Sequence, residues 1–360
     1  MLFEPYSINH LHLQNRLVRS ATAEHMADEE GRPLPSLSSL YRRLATGGVG
    51  LIISGHMYVH PYGKAHREMT GVFDDDLLPG LAELAQAVHD EGGRIVAQIN
   101  HGGMDCDQDC VAEPIAPSRL GPPLSTREAR PMGVREILTL IEAFGQAARR
   151  VQRAGFDGVQ IHAAHGYLID QFLSPLTNHR QDEWGGDPRR RRTFLRAVCA
   201  SIRDRVGPDF PLLIKLGLMD GLDGGLSAQE AREMVSELES MGVDGLEVSG
   251  GISGRERLSV REHIRSPADE AYFRPLAKLA RSATSLPIAL VGGMRSRAVM
   301  ESVLASGDAD LISMSRPLIN DPEFPNLMRM ELQEASDCIS ANECWPSGEG
   351  EGIACKCPVG

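Results

Sequence analysis

Eight short runs rich in branched aliphatic residues recur along this chain, with helical patterns between them, and that alternation limits the available folds more than any other feature. The runs are RLVRSA (16–21), GLIISGHMYV (50–59), RIVAQIN (94–100) and GVQIHAA (158–164), then PLLIKLG (211–217), GLEVSGG (245–251), PIALVGG (287–293) and DLISMSR (310–316). Nearly continuous apolar character marks strands buried on both faces, as in a parallel sheet. Helical periodicity covers 79–93, 138–155 and 227–242. Glycines close helices here, and Ser227 with Glu230 three residues on reads as a capping box. Eight strands alternating with helices predict an α/β chain folded as a (β/α)8 TIM barrel. An open doubly wound sheet is the alternative, but no Gly-x-Gly-x-x-Gly follows the first run.

The segments after the third and fourth strands, 101–131 and 165–187, are long. In a barrel, loops that follow strand ends carry the chemistry. The fourth strand ends in HAAHGY (162–167), two imidazoles and a phenol within six residues. Buried, hydrogen-bonded core histidines are the plain alternative, but the position at the C-terminal rim favours an active site. Barrels also bind phosphate in the loops after strands seven and eight, at a helix N-terminus. VGGMRS (291–296) offers two glycines for close backbone approach before a helix, and SMSRP (313–317) adds a cation. Gly292, Gly293 and Arg316 are therefore candidate phosphate contacts.

Charge and leader composition remove other classes. The formal net charge is −12, and no clustered cations suggest nucleic acid. The run Arg189–Arg192 reads as a solvated helical face. The N-terminus lacks the charged and apolar regions of a signal peptide, and no apolar run is long enough to span a bilayer. A cytoplasmic protein is expected, with its seven cysteines reduced, and a homo-oligomer is expected too. Cys106 and Cys110, beside three aspartates in DCDQDC, read as part of a solvated acidic loop.

The segment IHAAHGYLIDQFLSPLTNHRQDEWGGD (161–187), with NRLVRSAT (15–22), AQINHGG (97–103) and ADLISMSRPLINDPEFP (309–325), resembles the Old Yellow Enzyme family of FMN-dependent ene-reductases. The resemblance spans nearly the whole chain in the family's order. It implies FMN at the C-terminal rim of the barrel. It makes Gln98 the glutamine at the flavin pyrimidine edge and Lys215 the basic residue, more often arginine, beside N1 and O2. It sets Gly55 at the flavin's edge and Ala21, Thr22 and Ala23 along the cofactor. His162 and His165 become the pair that binds the substrate carbonyl oxygen, and Tyr167 the proton donor. Read from the residues alone, Gln98 could instead fill the barrel interior, and Lys215 could be a Schiff-base lysine. Arg180, Asp182 and Gly185–Gly186 read as a structural turn.

Two features depart from the pattern. Ala23 stands where the family often has Thr or Cys, so it offers no hydrogen bond and excludes a cysteinyl–flavin link there. In the tail, Cys338, Cys344 and Cys357 keep the spacing of three of four cluster cysteines in trimethylamine dehydrogenase-like relatives, with Ala341 at the remaining position. Since a [4Fe–4S] cluster normally takes four thiolates, no iron–sulfur cluster is expected. Cys355 could compensate, or the four could bind zinc.

The sequence thus predicts an FMN-binding barrel over 1–335 and a Cys-containing extension, 336–360, packed on it. The expected activity is hydride transfer from NAD(P)H through FMN to an enone-type small molecule, with a NAD(P)H:flavin oxidoreductase (ene-reductase) cycle. A flavin-dependent amine dehydrogenase is one alternative, and a flavin-binding barrel without turnover is another.

Overall fold

A computed structural model describes residues 1–252, 258–348 and 350–357; Glu349 and 358–360 of the predicted extension lie outside the described residues. Eight parallel strands close on themselves: β1 Leu17–Arg19, β2 Leu51–Ile53, β3 Ile95–Asn100, β4 Gly158–Ala163, β5 Leu212–Gly217, β6 Gly245–Ser249, β7 Ile288–Leu290 and β8 Leu311–Met314. Each pairs with its sequence neighbour, and β8 returns to β1. The predicted barrel is therefore the observed fold.

The helices that follow the strands are α1 Pro35–Thr46, α2 Leu78–His89, α3 Val134–Arg153, α4 Thr193–Val206, α5 Ala228–Glu237, α6 Arg274–Arg281, α7 Arg297–Ala305 and α8 Phe324–Arg329. Their apolar faces pack on the outside of the strands in one large core. The capping box forms as read: Ser227 Oγ accepts from Glu230 N at 3.2 Å, and Glu230 Oε2 accepts from Ser227 N at 3.0 Å.

The barrel interior is divided by polarity. At its N-terminal end a short hairpin, Tyr6–Ile8 with Leu11–Leu13, inserts Ile8, Leu11 and Leu13 against Val18, Leu51, Ile53, Val96 and Leu213. That apolar plug shuts the bottom. Toward the other end the inward side chains become Gln98, Gln160, Lys215 and Glu247, all buried. Polar groups cost free energy when buried without partners, so this end must carry either an internal network or a ligand.

Three details differ from the sequence reading. The predicted strand 50–59 is two pieces, β2 and a short Met57–Tyr58 pairing on β3, because the chain turns at 54–56 to bring His56 to the rim. Arg191 and Arg192 are buried, not solvated. Arg191 pairs with Glu230, and Arg192 reaches Glu237 at 2.9 Å, clamping α4's start to α5. Cys106 is also buried, its thiol donating to Tyr62 O at 3.3 Å, so only part of its loop is a solvated acidic one. All seven cysteines are free thiols. Among the described residues no helix is long and apolar enough to cross a membrane.

The tail runs back over the C-terminal rim. Ser336 N donates to Arg295 O at 3.0 Å, and Ile353 N donates to Glu24 O at 2.9 Å.

Candidate active site

At the C-terminal end of the barrel lies a cavity of about 520 Å³, well within the range that holds a cofactor or a drug-sized ligand. It is lined by Ala21, Thr22, Ala23, Gln98, His162, His165, Tyr167, Lys215, Gly293 and Arg316, ten of the twelve residues singled out from the sequence. The other two stand one layer back. A Cβ on Gly55 would lie 1.8 Å from Glu24 Oε2, and Gly55 N donates to Glu24 Oε1 at 2.9 Å. Gly55 thus lets the β2 turn sit on the buried carboxylate that also holds Arg19 and Tyr41. Gly292, at φ +129°, lies against the rings of Tyr272 and Phe273.

The imidazole–phenol group is built by local geometry. β4 delivers His162 into the barrel mouth. His165 and Gly166 then take positive φ, +64° and +79°, a left-handed turn that reverses the chain so quickly that Tyr167 folds back over His162. The ring centroids of His162 and His165 are 5.2 Å apart, and those of His162 and Tyr167 4.9 Å. Asp170 Oδ2 accepts from Gly166 N at 2.8 Å and Gln171 Nε2 donates to Gly102 O at 3.2 Å, fixing the turn against the third loop. His165 Nε2 pairs with Ser249 Oγ at 2.7 Å.

Burial sets the protonation of these groups. It pushes the His165 imidazole down to about 3 and holds His162 well below the usual histidine range, with the neighbouring His165 adding to the effect. Burial also raises the Tyr167 phenol above its ordinary value, helped by Asp105 and Cys106. At neutral pH the site therefore presents two neutral imidazoles and a protonated phenol. His162 Nδ1 is buried and has no hydrogen-bond partner.

The polar interior below forms one network. Gln98 Nε2 donates to Gln160 Oε1 at 2.7 Å, and Gln160 Nε2 donates to Glu247 Oε2 at 3.1 Å. Lys215 Nζ lies 3.4 Å from Glu247 Oε1 and donates to Ser20 Oγ at 2.8 Å, and Ser20 donates onward to Glu247 at 2.6 Å. The opposite end is cationic and glycine-lined. Arg316, at the start of a short helix, donates to Asn342 Oδ1 at 2.7 Å. Arg295 Nε and Ser313 Oγ, both on lining residues, are buried without partners. Gly293 adopts φ +73°, and a Cβ there would crowd the Tyr272 ring at 3.1 Å.

Several residues in or just beneath the cavity were not singled out from the sequence. His56 comes from the turn after β2, its ring 5.0 Å from that of Tyr167, with burial lowering its imidazole to about 3. Glu247 neutralises Lys215, which lies opposite it in the β5–β6 register; a lone carboxylate in the apolar run 245–251 was the available signal. Ser340, Asn342, Trp345 and Ile353, together with the already noted Cys344, make the tail one wall of the cavity. The Arg180–Asp182 turn is structural as read: Arg180 also donates to Pro117 O and Met132 O, at 2.9 and 2.7 Å.

Comparison with known proteins agrees with this architecture. The chain is 35% identical over 346 residues to a metal reductase of Desulforamulus reducens, covering 95% of this chain and 51% of that protein. It is 35% identical over 333 residues to an NADPH dehydrogenase of Geobacillus thermodenitrificans, covering 92% and 94%. The chain thus spans about half the length of the first relative and nearly all of the second. Its fold superposes on 2-naphthoyl-CoA reductase with a TM-score of 0.86 at 30% identity, covering 92% of this chain and 52% of that one. Residues 1–335 match the family model described as NADH:flavin oxidoreductase / NADH oxidase, and with a barrel, rim and cavity of this form the chain belongs to that family.

Proposed function

We propose that this chain is an FMN-dependent oxidoreductase that takes hydride from NAD(P)H and reduces the C=C bond of α,β-unsaturated carbonyl compounds. The observation that carries the reading is the meeting of neutral His162 and His165 with protonated Tyr167 over one cavity whose far end is cationic. Residues 1–335 form the catalytic unit in this reading, and the extension from 336 closes it.

The donor set fits FMN. The cavity is lined by the apolar side chains of Ala21, Ala23 and Met314, is polar at Gln98 and Lys215, and ends in Arg316, Arg295 and a glycine turn suited to a phosphate. Gln98 and Lys215 would take the polar edge of the ring, Ala21, Thr22 and Ala23 its face and rim, and Gly293 and Arg316 the phosphate, with Gly55 and Gly292 one layer back letting Glu24 and the Tyr272 and Phe273 rings pack behind the site. The partnerless Ser313 Oγ and Arg295 Nε are groups a ligand would satisfy. FMN, when bound, supplies the hydride that no side chain can offer.

The remaining chemistry belongs to the chain. His162 and His165 donate to the carbonyl oxygen of the substrate, where negative charge grows as the double bond is reduced. Being neutral, each donates a hydrogen bond without carrying a competing charge into the site. Tyr167 holds a proton at its phenol oxygen for the α-carbon. Glu247 and Ser20 orient Lys215, and Asp170 and Gln171 hold the turn that aims Tyr167. The tail excludes water from one side. In this reading the tail carries no [4Fe–4S] cluster, since Ala341 removes one thiolate, and iron and acid-labile sulfide in the purified protein should be absent.

The test is the visible spectrum of the purified protein. Flavin bands, with FMN identified by mass after denaturation, are expected; a colourless protein that binds no added FMN would overturn the reading.

A further inference from the structure

Outside the groups that face the cavity, three more side chains converge at its edge. His25 lies on the loop after β1, and His66 and Glu68 on the loop after Met57–Tyr58. One ligand atom from each lies within 4.8 Å of the other two. The His25 and His66 rings are 4.0 Å apart, and His25 Nδ1 is 3.1 Å from Glu68 Oε2. His25 is held at φ +55°, a region sparsely populated by residues other than glycine. His66 Nδ1 is buried and has no hydrogen-bond partner.

We infer that His25, His66 and Glu68 form a binding site for a divalent transition-metal ion, with zinc as the best match. Two imidazoles and one carboxylate are a nitrogen–oxygen set that zinc takes readily, with a fourth position left for water. The set is not explained by packing alone, because the His25–Glu68 pair leaves His66 Nδ1 buried without a partner. A bound ion would satisfy all three groups at once. Glu68 is also oriented as outer partners orient metal-bound carboxylates: its second oxygen accepts from Gly350 N at 3.2 Å. That hydrogen bond ties the site to the tail. The ion would join the β1 loop, the 60–70 loop and the segment carrying Trp345, whose ring meets His25 edge-on at 6.0 Å. Trp345 and His56 both line the cavity, so the ion acts as a staple on its roof.

Zinc binding to the full-length protein after chelator dialysis tests this, by calorimetry and by metal content. The result expected is one zinc per chain, a raised melting temperature with zinc, and a loss of at least about tenfold in affinity in His66→Ala. Glu68→Gln, which keeps the shape, should show the same loss and guards against misfolding of the first variant. Cys344→Ser/Cys357→Ser should bind as the native protein does. No zinc binding by the native protein, or binding retained in His66→Ala and Glu68→Gln but lost in the cysteine variant, would overturn the inference.

Discussion

Replacing Lys215 by Met separates its observed role as the partner of Glu247 from its proposed role beside the cofactor. Lys215 and Glu247 are both buried, 4% and 2% exposed. Removing the cation leaves the Glu247 carboxylate with its bonds from Ser20 and Gln160 but no counter-charge. Breaking a buried pair from one side costs about 3–5 kcal/mol, and the two surviving hydrogen bonds put this case near the lower end, about 3 kcal/mol. An unfolding entropy of roughly 2.1 cal/mol/K per residue gives about 0.76 kcal/mol/K for this chain, so the midpoint should fall by about 4 °C. Thermal melts of the flavin-free protein read that directly. Lys215→Met/Glu247→Gln removes both charges and should recover most of the loss. Flavin affinity should not recover in the double variant, because the cation proposed to face the cofactor is still missing. Recovery of flavin binding together with stability would refute the cofactor role and leave Lys215 as the counter-ion of Glu247.

Other consequences are equally direct. Tyr167→Phe should slow oxidation of the reduced protein by an enone by roughly 10²–10⁴-fold and leave reduction by NAD(P)H unchanged in single-turnover kinetics; equal slowing of both would make Tyr167 a shaping residue. His162→Ala and His165→Ala should each weaken binding of a phenolate, an enolate mimic, in an optical titration, and each should lower turnover by about 10²–10³-fold. The melting midpoint should drop as pH falls below about 6.5, the ordinary histidine value. Burial lowers His56, His101 and His165 to about 3 and depresses His66 and His162. The unfolded chain therefore takes up protons that the folded one refuses, and stability present above 6.5 is lost toward 3. Asp170 and Asp220, raised by burial, pull the other way but are fewer; a midpoint flat from pH 7 to 5 would contradict this balance.

The barrel was legible because strands buried on both faces and amphipathic helices leave different periodicities, and both survive in one sequence. His162, His165 and Tyr167 were legible for a simpler reason: they are contiguous and follow a strand end. What escaped is what comes together only in space. His56 reaches Tyr167 from the turn after β2, and the 50–59 run that contains it reads as unbroken because the turn at 54–56 has no proline to mark it. Glu247 looks anomalous in an apolar strand, yet its partner becomes visible only through the β5–β6 register. Arg191 and Arg192 read as solvated because their carboxylate partners lie about forty residues away on α5. The wall formed by Ser340, Asn342 and Trp345 has no periodicity to read, being a coil ordered by contacts with the rim.

The most direct test of the account is anaerobic stopped-flow mixing of the NAD(P)H-reduced protein with a simple cyclic enone, followed at the flavin absorbance. The site of His162, His165 and Tyr167 predicts rapid return of the oxidised flavin spectrum and formation of the saturated ketone. An enone that leaves the flavin reduced, alongside an amine that bleaches the oxidised protein, would contradict it.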